Sequence, residues 1–266
     1  MQPHRIAILS ARRSGAEALY RLLSPALPGR LAGGQPFHWE NIWGEVSRSF
    51  HQGAREQARA VLDARLDGGE LFHHRYDAES WDFNEMLLDA LGAAGYRLLV
   101  IERELTVDHL FSIVVCEHLR CQDAAAVERL RERLRAGPDV APPDAHATRE
   151  LVDRQWQTRQ WFRRALSQCR ADRLVCHYED LFLRGVASLA AVDEVFAFAG
   201  VGSRAAVIDD ASLLRFIFSG HHYTAGLAAY SAALAQVRSD IDAELSRLQQ
   251  EGIRADTRPD TSHGGR

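Results

Sequence analysis

The side chains best suited to chemistry in this chain fall into three groups. The first is Arg12-Arg13-Ser14-Gly15, a turn that carries two guanidinium groups and a hydroxyl. The second is Arg103, at the end of an apolar run, with Ser112 further along. The third holds groups that accept a proton: His38 and Glu40, and the adjacent pair His73-His74. Guanidinium groups and free backbone N–H donors bind phosphate and sulfate groups, while imidazole and carboxylate serve as general bases. These residue types point to the capture or transfer of an anionic group.

Such groups need elements that hold them. Residues 5–10 read as a buried apolar strand that runs into the Arg-Arg-Ser-Gly turn, and an amphipathic helix opens directly after it and continues to residue 23. A turn between a strand end and a helix N-terminus offers unpaired N–H groups and the positive end of the helix dipole, the geometry of an anion cradle. It predicts a phosphorylated ligand. A nucleoside triphosphatase loop needs a Lys after its second Gly, and all 32 basic residues of this chain are Arg. Ordinary ATP or GTP hydrolysis is therefore disfavoured, and the charge of the loop comes from Arg12 and Arg13. The same stretch, Ser14 to Glu17, also spells a capping box, in which Ser14 and Glu17 satisfy the helix's own N–H groups with no ligand involved.

Further strands are expected at residues 71–75, 97–101 and 173–177, alternating with helices such as 80–94 and 148–170, which predicts a parallel sheet covered by helices. The segment 97–115 reads as a strand, a charged break at Glu102 to Glu104, and a helix with Val107, Leu110, Phe111, Val114 and Val115 at helical spacing. The Pro-rich stretch 137–147 reads as a surface loop or flap. From residue 188 the pattern is helical, with one stripe of Leu189, Val192, Phe196 and Ala199 and another of Leu234, Val237, Ile241, Leu245 and Leu248. A disordered tail is expected over residues 254–266. The expected organisation is one α/β domain over residues 1–253, long enough at 46% apolar content to bury one core.

A net charge of −4 argues against a general nucleic-acid binder. No apolar run reaches the roughly 20 residues of a spanning helix, and the first strand begins almost at once, so neither a membrane span nor an export signal is expected and the location is predicted to be cytoplasmic. Cys116, Cys121, Cys169 and Cys176 lack zinc-site spacing and read as buried thiols in a reducing compartment. No metal site is expected.

The loop at Arg13-Ser14-Gly15 resembles the 5'-phosphosulfate loop of sulfotransferases that use 3'-phosphoadenosine 5'-phosphosulfate (PAPS), which commonly read Pro-Arg-Ser-Gly-Thr-Thr. Here Arg12 stands for the Pro, and Ala16 and Glu17 stand for the two hydroxyl residues. Arg103 and Ser112 match the Arg and Ser that hold the donor's 3'-phosphate, with the spacing of bacterial carbohydrate sulfotransferases. Residues 175–181, VCHYEDL, resemble a Tyr-Glu-Asp-Leu stretch that ends a late strand in that family, and residues 33–39, GGQPFHW, resemble a segment on its acceptor side. The matches come in the family's order over about the first 200 residues.

The resemblance implies a P-loop-type fold of three layers with a helical C-terminal region, and sulfuryl transfer from PAPS to a hydroxyl of a carbohydrate or small-molecule acceptor, with no metal required. Arg12, Arg13, Ser14, Gly15, Ala16 and Glu17 would hold the 5'-phosphosulfate, Arg12 acting on the transferring group, and Arg103 with Ser112 the 3'-phosphate. In several bacterial relatives a Glu serves as base where this chain has Gln35. His38 is the first choice for that role, Glu40 the second, and only one of His73 and His74 can enter a site because adjacent strand residues face opposite ways. Trp156 and Trp161 are read as core or as walls of an acceptor pocket, and His221-His222 as a donor flap or a plain turn. Two other readings stand beside this one: a catalytically silent protein of the same fold, suggested by Ala16, Glu17 and Gln35, and last a nucleotide kinase without Lys. The acceptor and the oligomeric state, a homo-oligomer included, are left open.

Overall fold

The structure, a computed structural model, describes residues 5–27, 31–38, 40–68, 71–120, 124–137, 141–219, 224 and 227–256. In chain order the elements are β1 (Ile6–Ser10), α1 (Ala16–Leu23), β2 (Leu31–Gly34), α2 (Gly44–His51), α3 (Arg55–Leu66), β3 (Leu71–Arg75), α4 (Trp81–Ala93) and β4 (Arg97–Glu102). They continue with α5 (Val107–His118), α6 (Ala124–Arg135), α7 (Ala145–Gln168), β5 (Arg173–His177), α8 (Tyr178–Phe182), α9 (Ser188–Ala199), α10 (Asp210–Ser219) and α11 (Ala232–Asp256). Where the sequence reads as one domain over residues 1–253, the chain divides into two compact units, residues 1–104 with 158–221, and residues 105–157 with 222–266.

The first unit is built on a five-stranded sheet in the order β2-β3-β1-β4-β5, and every neighbouring pair is parallel. Each strand of its centre is apolar on both sides, as a sheet covered on both faces requires. Ala7, Leu9, Phe72, Leu98 and Val100 share one core with residues of α2, α3 and α4, among them Val46, Leu62 and Leu87. Ile6, Ile8, Leu71, Leu99 and Ile101 share the opposite core with residues of α1, α8, α9 and α10, among them Leu19, Leu181, Phe196 and Leu213. The result is the expected three-layer α/β arrangement. Each of these large side chains, withdrawn wholly from water, contributes roughly 1.5–3 kcal/mol.

The helix starts are chemically marked. Ser80 caps α4 by accepting from the Phe83 N–H at 3.3 Å, and Thr106 caps α5 by accepting from the His109 N–H at 3.2 Å, each worth about 1 kcal/mol. Asp144 accepts from the N–H groups of His146 and Ala147 at the start of α7, closing the Pro-rich stretch into that helix.

The second unit is helical. The stripe Leu234, Val237, Ile241, Leu245 and Leu248 of α11 is buried together with Leu110 and Val114 of α5, Leu130 of α6 and Leu151 of α7. Among the described residues no helix is long and apolar enough to cross a membrane.

Four local expectations change. Residues 31–34 form the edge strand β2, which the glycines concealed. Tyr178-Glu179-Asp180-Leu181 is not a strand end but the body of the short helix α8, because β5 stops at His177. Cys116 and Cys176 are buried, whereas Cys169 is only partly so. The tail expected from residue 254 begins inside α11, which continues to Asp256. Trp39, Cys121, His221, His222 and residues 257–266 lie outside the described residues.

Candidate functional site

The chain lays down β1, β2 and β3 on one side and then returns to add β4 and β5 on the other. The loop after β1 therefore sits at the point where the strand order reverses, the place where open α/β sheets form a crevice beyond their strand ends. That loop is Ala11 to Gly15. Arg13 has φ 60° and Gly15 φ 76°, so two left-handed residues flank Ser14. Left-handed backbone costs a non-glycine residue roughly 1–2 kcal/mol, and at Arg13 a partner offsets it: the Arg103 guanidinium donates through Nη1 to the Arg13 carbonyl. Gly15 admits no side chain. A Cβ there would lie 2.4 Å from Cε2 of Phe182 on α8.

The capping box does not form. Gly15 is the N-cap of α1 and no side chain caps the helix. Glu17 turns outward to Arg21, one turn on, at 2.9 Å, with half of its side chain exposed. The Ser14 hydroxyl is buried and has no partner in the protein, an arrangement proteins seldom leave unexplained. The cradle is thus not filled by the chain's own Glu17.

Arg12 has a different place from the one its sequence position suggests. Its backbone N–H and its Nε both donate to Asp77, at 3.1 and 2.5 Å, and Arg75 reaches the same carboxylate at 3.4 Å. Burial alone would push the Asp77 carboxyl up, but Arg75 and Arg12 hold it below its ordinary value. Arg12 is therefore bound to a buried carboxylate just after β3.

Arg103, just beyond the end of β4, is not the ion-pair partner of its sequence neighbours. Glu102 is taken by Arg163 of α7, at 2.7 and 3.1 Å. The Arg103 guanidinium instead lies over the Tyr178 ring, 4.1 Å from its centroid, a cation–π contact. Burial lowers its pKa, with Tyr178 and Glu179 opposing and Arg13 and Arg159 adding to the shift. Arg159 of α7 is likewise buried and its Nη2 has no partner. Nothing in the sequence singled out Arg159 or Asp77; neither carries a motif, and only the placement of α7 and of the turn after β3 brings them here. Arg12 and Arg75 share Asp77, Arg163 pairs with Glu102, and Arg13 and Arg159 both act on Arg103, so guanidinium groups gather at these strand ends in a chain of net charge −4. Ser112 lies in the second unit, buried on α5.

The histidines separate as strand geometry requires. His73 faces α1, with Nε2 3.2 Å from the Ser10 hydroxyl. Burial, with lesser contributions from His74 and Arg75, pushes its pKa down to about 3, so its 4.0 Å approach to Glu17 is not an ion pair. His74 is on the other face, its Nε2 2.7 Å from the Asn84 amide oxygen, and burial lowers its pKa too. Both rings are buried.

The loop after β2 is shaped by Gln35, whose φ is 54° and whose N–H donates to the His73 carbonyl at 2.7 Å. Phe37 plugs into the core against Trp43, Phe72 and Phe83. His38 is left exposed at the rim of a cavity of about 240 Å³ whose polar lining is Gln35, His38, Ser47, His51, His74, Arg75 and Glu79. Glu40 is exposed and does not line it. Trp161 stacks on Trp81 at 5.9 Å, donates to Glu85 and packs, partly buried, against the core on the α2–α4 side of the sheet. Trp156 belongs to the second unit's core. Among the described residues no group of three or more His, Cys, Asp or Glu side chains is placed to hold a metal ion. No protein-family model, no curated protein and no solved structure matches this chain.

Proposed function

We propose that the first unit binds a phosphorylated donor of the PAPS type beyond the carboxyl ends of β1 and β4, and that the protein transfers its sulfuryl group to a hydroxyl. The observation that carries this reading is the junction of the two strand ends, where Arg103 is tied to the carbonyl of Arg13 beside an uncapped helix start. The guanidinium groups gathered there, the unpartnered Ser14 hydroxyl and the unpartnered Arg159 Nη2 all suit an anion with several oxygen acceptors.

In this reading Arg13 and the N–H groups of residues 14–17 hold the phosphosulfate, and Arg103 holds a second phosphate. Sulfuryl transfer, like phosphoryl transfer, asks the protein mainly to position the reactants and to neutralise charge on the departing phosphate. Arg12, fixed by Asp77, braces the loop rather than reaching the ligand.

The second reading, a silent protein of the same architecture, is favoured by that same Arg12–Asp77 pair, since the loop's first guanidinium is already neutralised. Calorimetry separates the two. Binding of adenosine 3',5'-bisphosphate but not of ADP, lost on Arg103→Ala, supports the donor reading. Failure to bind either nucleotide supports the silent one, and a preference for ADP supports a kinase.

A further inference from the structure

We propose that the cavity lined by Gln35, His38, His51, Arg75 and Glu79 holds a neutral, hydroxyl-rich acceptor, and that the His51 imidazole takes the proton of the hydroxyl that reacts. This rests on the sulfuryl-transfer reading and names the acceptor side of it.

His51 ends α2, and Ser47 stands one turn before it on the same face. Both reach one carboxylate: His51 Nε2 lies 2.9 Å from Glu79 Oε2, and the Ser47 hydroxyl donates to Glu79 Oε1 at 3.1 Å. Both Glu79 oxygens are occupied, so Glu79 positions His51 and is not itself the base. The contact assigns the proton of neutral His51 to Nε2 and leaves the Nδ1 lone pair as an acceptor. The ring is held by aromatic neighbours, parallel to Phe83 at 6.3 Å and edge-on to Phe50 at 5.6 Å, with half of the side chain open to solvent.

No other imidazole at this place is so equipped. His73 is buried on the other face of the sheet, and His74, which also lines the cavity, is buried with its Nε2 held by the Asn84 amide oxygen. His38 lines the same cavity without a partner that fixes its ring. His51 therefore takes the role that the sequence assigned to His38.

The lining also states the ligand class. Glu79 is hydrogen-bonded by His51 and Ser47, and Arg75 shares Asp77 with Arg12, so the wall carries one carboxylate and one guanidinium, which balance each other. What the wall offers is a mixture of donors and acceptors, suited to hydroxyl groups rather than to an anion. At about 240 Å³ the space lies below the roughly 300–1,000 Å³ of sites for drug-sized ligands, enough for one small ring or polyol. Asp77 joins this wall to the phosphate loop, because it binds Arg75 and Arg12 together.

In the reaction, the acceptor oxygen bonds to the sulfur of a phosphosulfate anhydride as the bond from sulfur to the bridging phosphate oxygen breaks. The electron pair of that bond leaves with the 5'-phosphate of adenosine 3',5'-bisphosphate, and the hydroxyl proton passes to His51 Nδ1.

The test uses the full chain labelled in its histidine rings and titrated with three neutral probes: methyl β-D-glucopyranoside, methyl N-acetyl-β-D-glucosaminide and D-mannitol. At least one probe should shift the His51 ring signals saturably and leave His146 unmoved. Glu79→Ala should abolish the Nε2–H tautomer preference seen in two-bond proton–nitrogen spectra. With PAPS and the bound probe, His51→Gln should lower kcat about 100-fold with KM and adenosine 3',5'-bisphosphate affinity unchanged. Absence of a saturable shift with all three probes, or a His51→Gln variant that keeps the wild-type kcat, overturns the proposal. Failure of the donor reading is seen separately, as absent calorimetric binding of adenosine 3',5'-bisphosphate by the unmodified protein.

Discussion

The Arg103 guanidinium is bonded to the main-chain carbonyl of Arg13, ninety residues earlier, and stacks on Tyr178. One side chain thereby joins the loop after β1, the end of β4 and the helix after β5. Arg103→Ala should weaken adenosine 3',5'-bisphosphate binding by about 10- to 100-fold, the range expected when a charged hydrogen bond worth roughly 1.5–3 kcal/mol is lost. Arg103→Lys should recover only part of it, since an ammonium lacks the planar fork that bonds the carbonyl and covers the ring at once. Calorimetry on the three proteins checks this, and equal affinities would remove Arg103 from the site.

Gly15→Ala should destabilise the fold by about 2 kcal/mol, from the left-handed backbone and from the methyl group driven into Phe182. The two causes separate in a double-mutant cycle. In a Phe182→Leu background the same substitution should cost measurably less, as read from urea denaturation midpoints.

Asp77→Asn should cost about 3 kcal/mol, because two guanidinium groups lose the carboxylate between them. The Asp77 carboxyl titrates below its ordinary 3.8 in the folded protein. Its contribution is therefore present above pH 3.8 and lost as the pH falls below that value. Denaturation of the variant at pH 7 and pH 3 should show a larger deficit at the first than at the second.

His73 titrates near 3 in the folded protein against 6.5 when free, and His74 is lowered as well. Unfolded chains take up these protons below pH 6.5 and the native state does not, so stability falls as the pH drops from 6.5 toward 3. His73 alone accounts for about 2 kcal/mol between pH 7 and pH 5. His73→Leu should flatten that part of the stability profile, and an unaltered slope would show that His73 is not held neutral.

Much of the scaffold was legible in the chain itself. β3 and β5 fall on the expected residues 71–75 and 173–177, because short runs with apolar residues between turn signals alternate with helical stretches. The stripe of α11 was readable for the same kind of reason, since apolar residues at helical spacing must be covered. β2 was not readable: Leu31-Ala32-Gly33-Gly34 has no alternation and little β-propensity, and it is a strand only because the edge of β3 offers it hydrogen-bond partners.

The candidate site divides along the same line. Arg13, Ser14, Gly15 and Arg103 were identifiable because local order, a strand end followed by a turn or break and a helix, is written in consecutive residues. Arg12, engaged by Asp77, Glu17, turned to Arg21, and His51, held by Glu79, took their roles from partners that are distant in sequence or on another turn of a helix. Side-chain direction depends on which charges and rings the fold delivers nearby, and that information resides in pairs of elements. The parallel sheet and its basic loop follow from the order of residues along the chain, whereas the carboxylate that engages Arg12 and the one that engages His51 are delivered by tertiary packing.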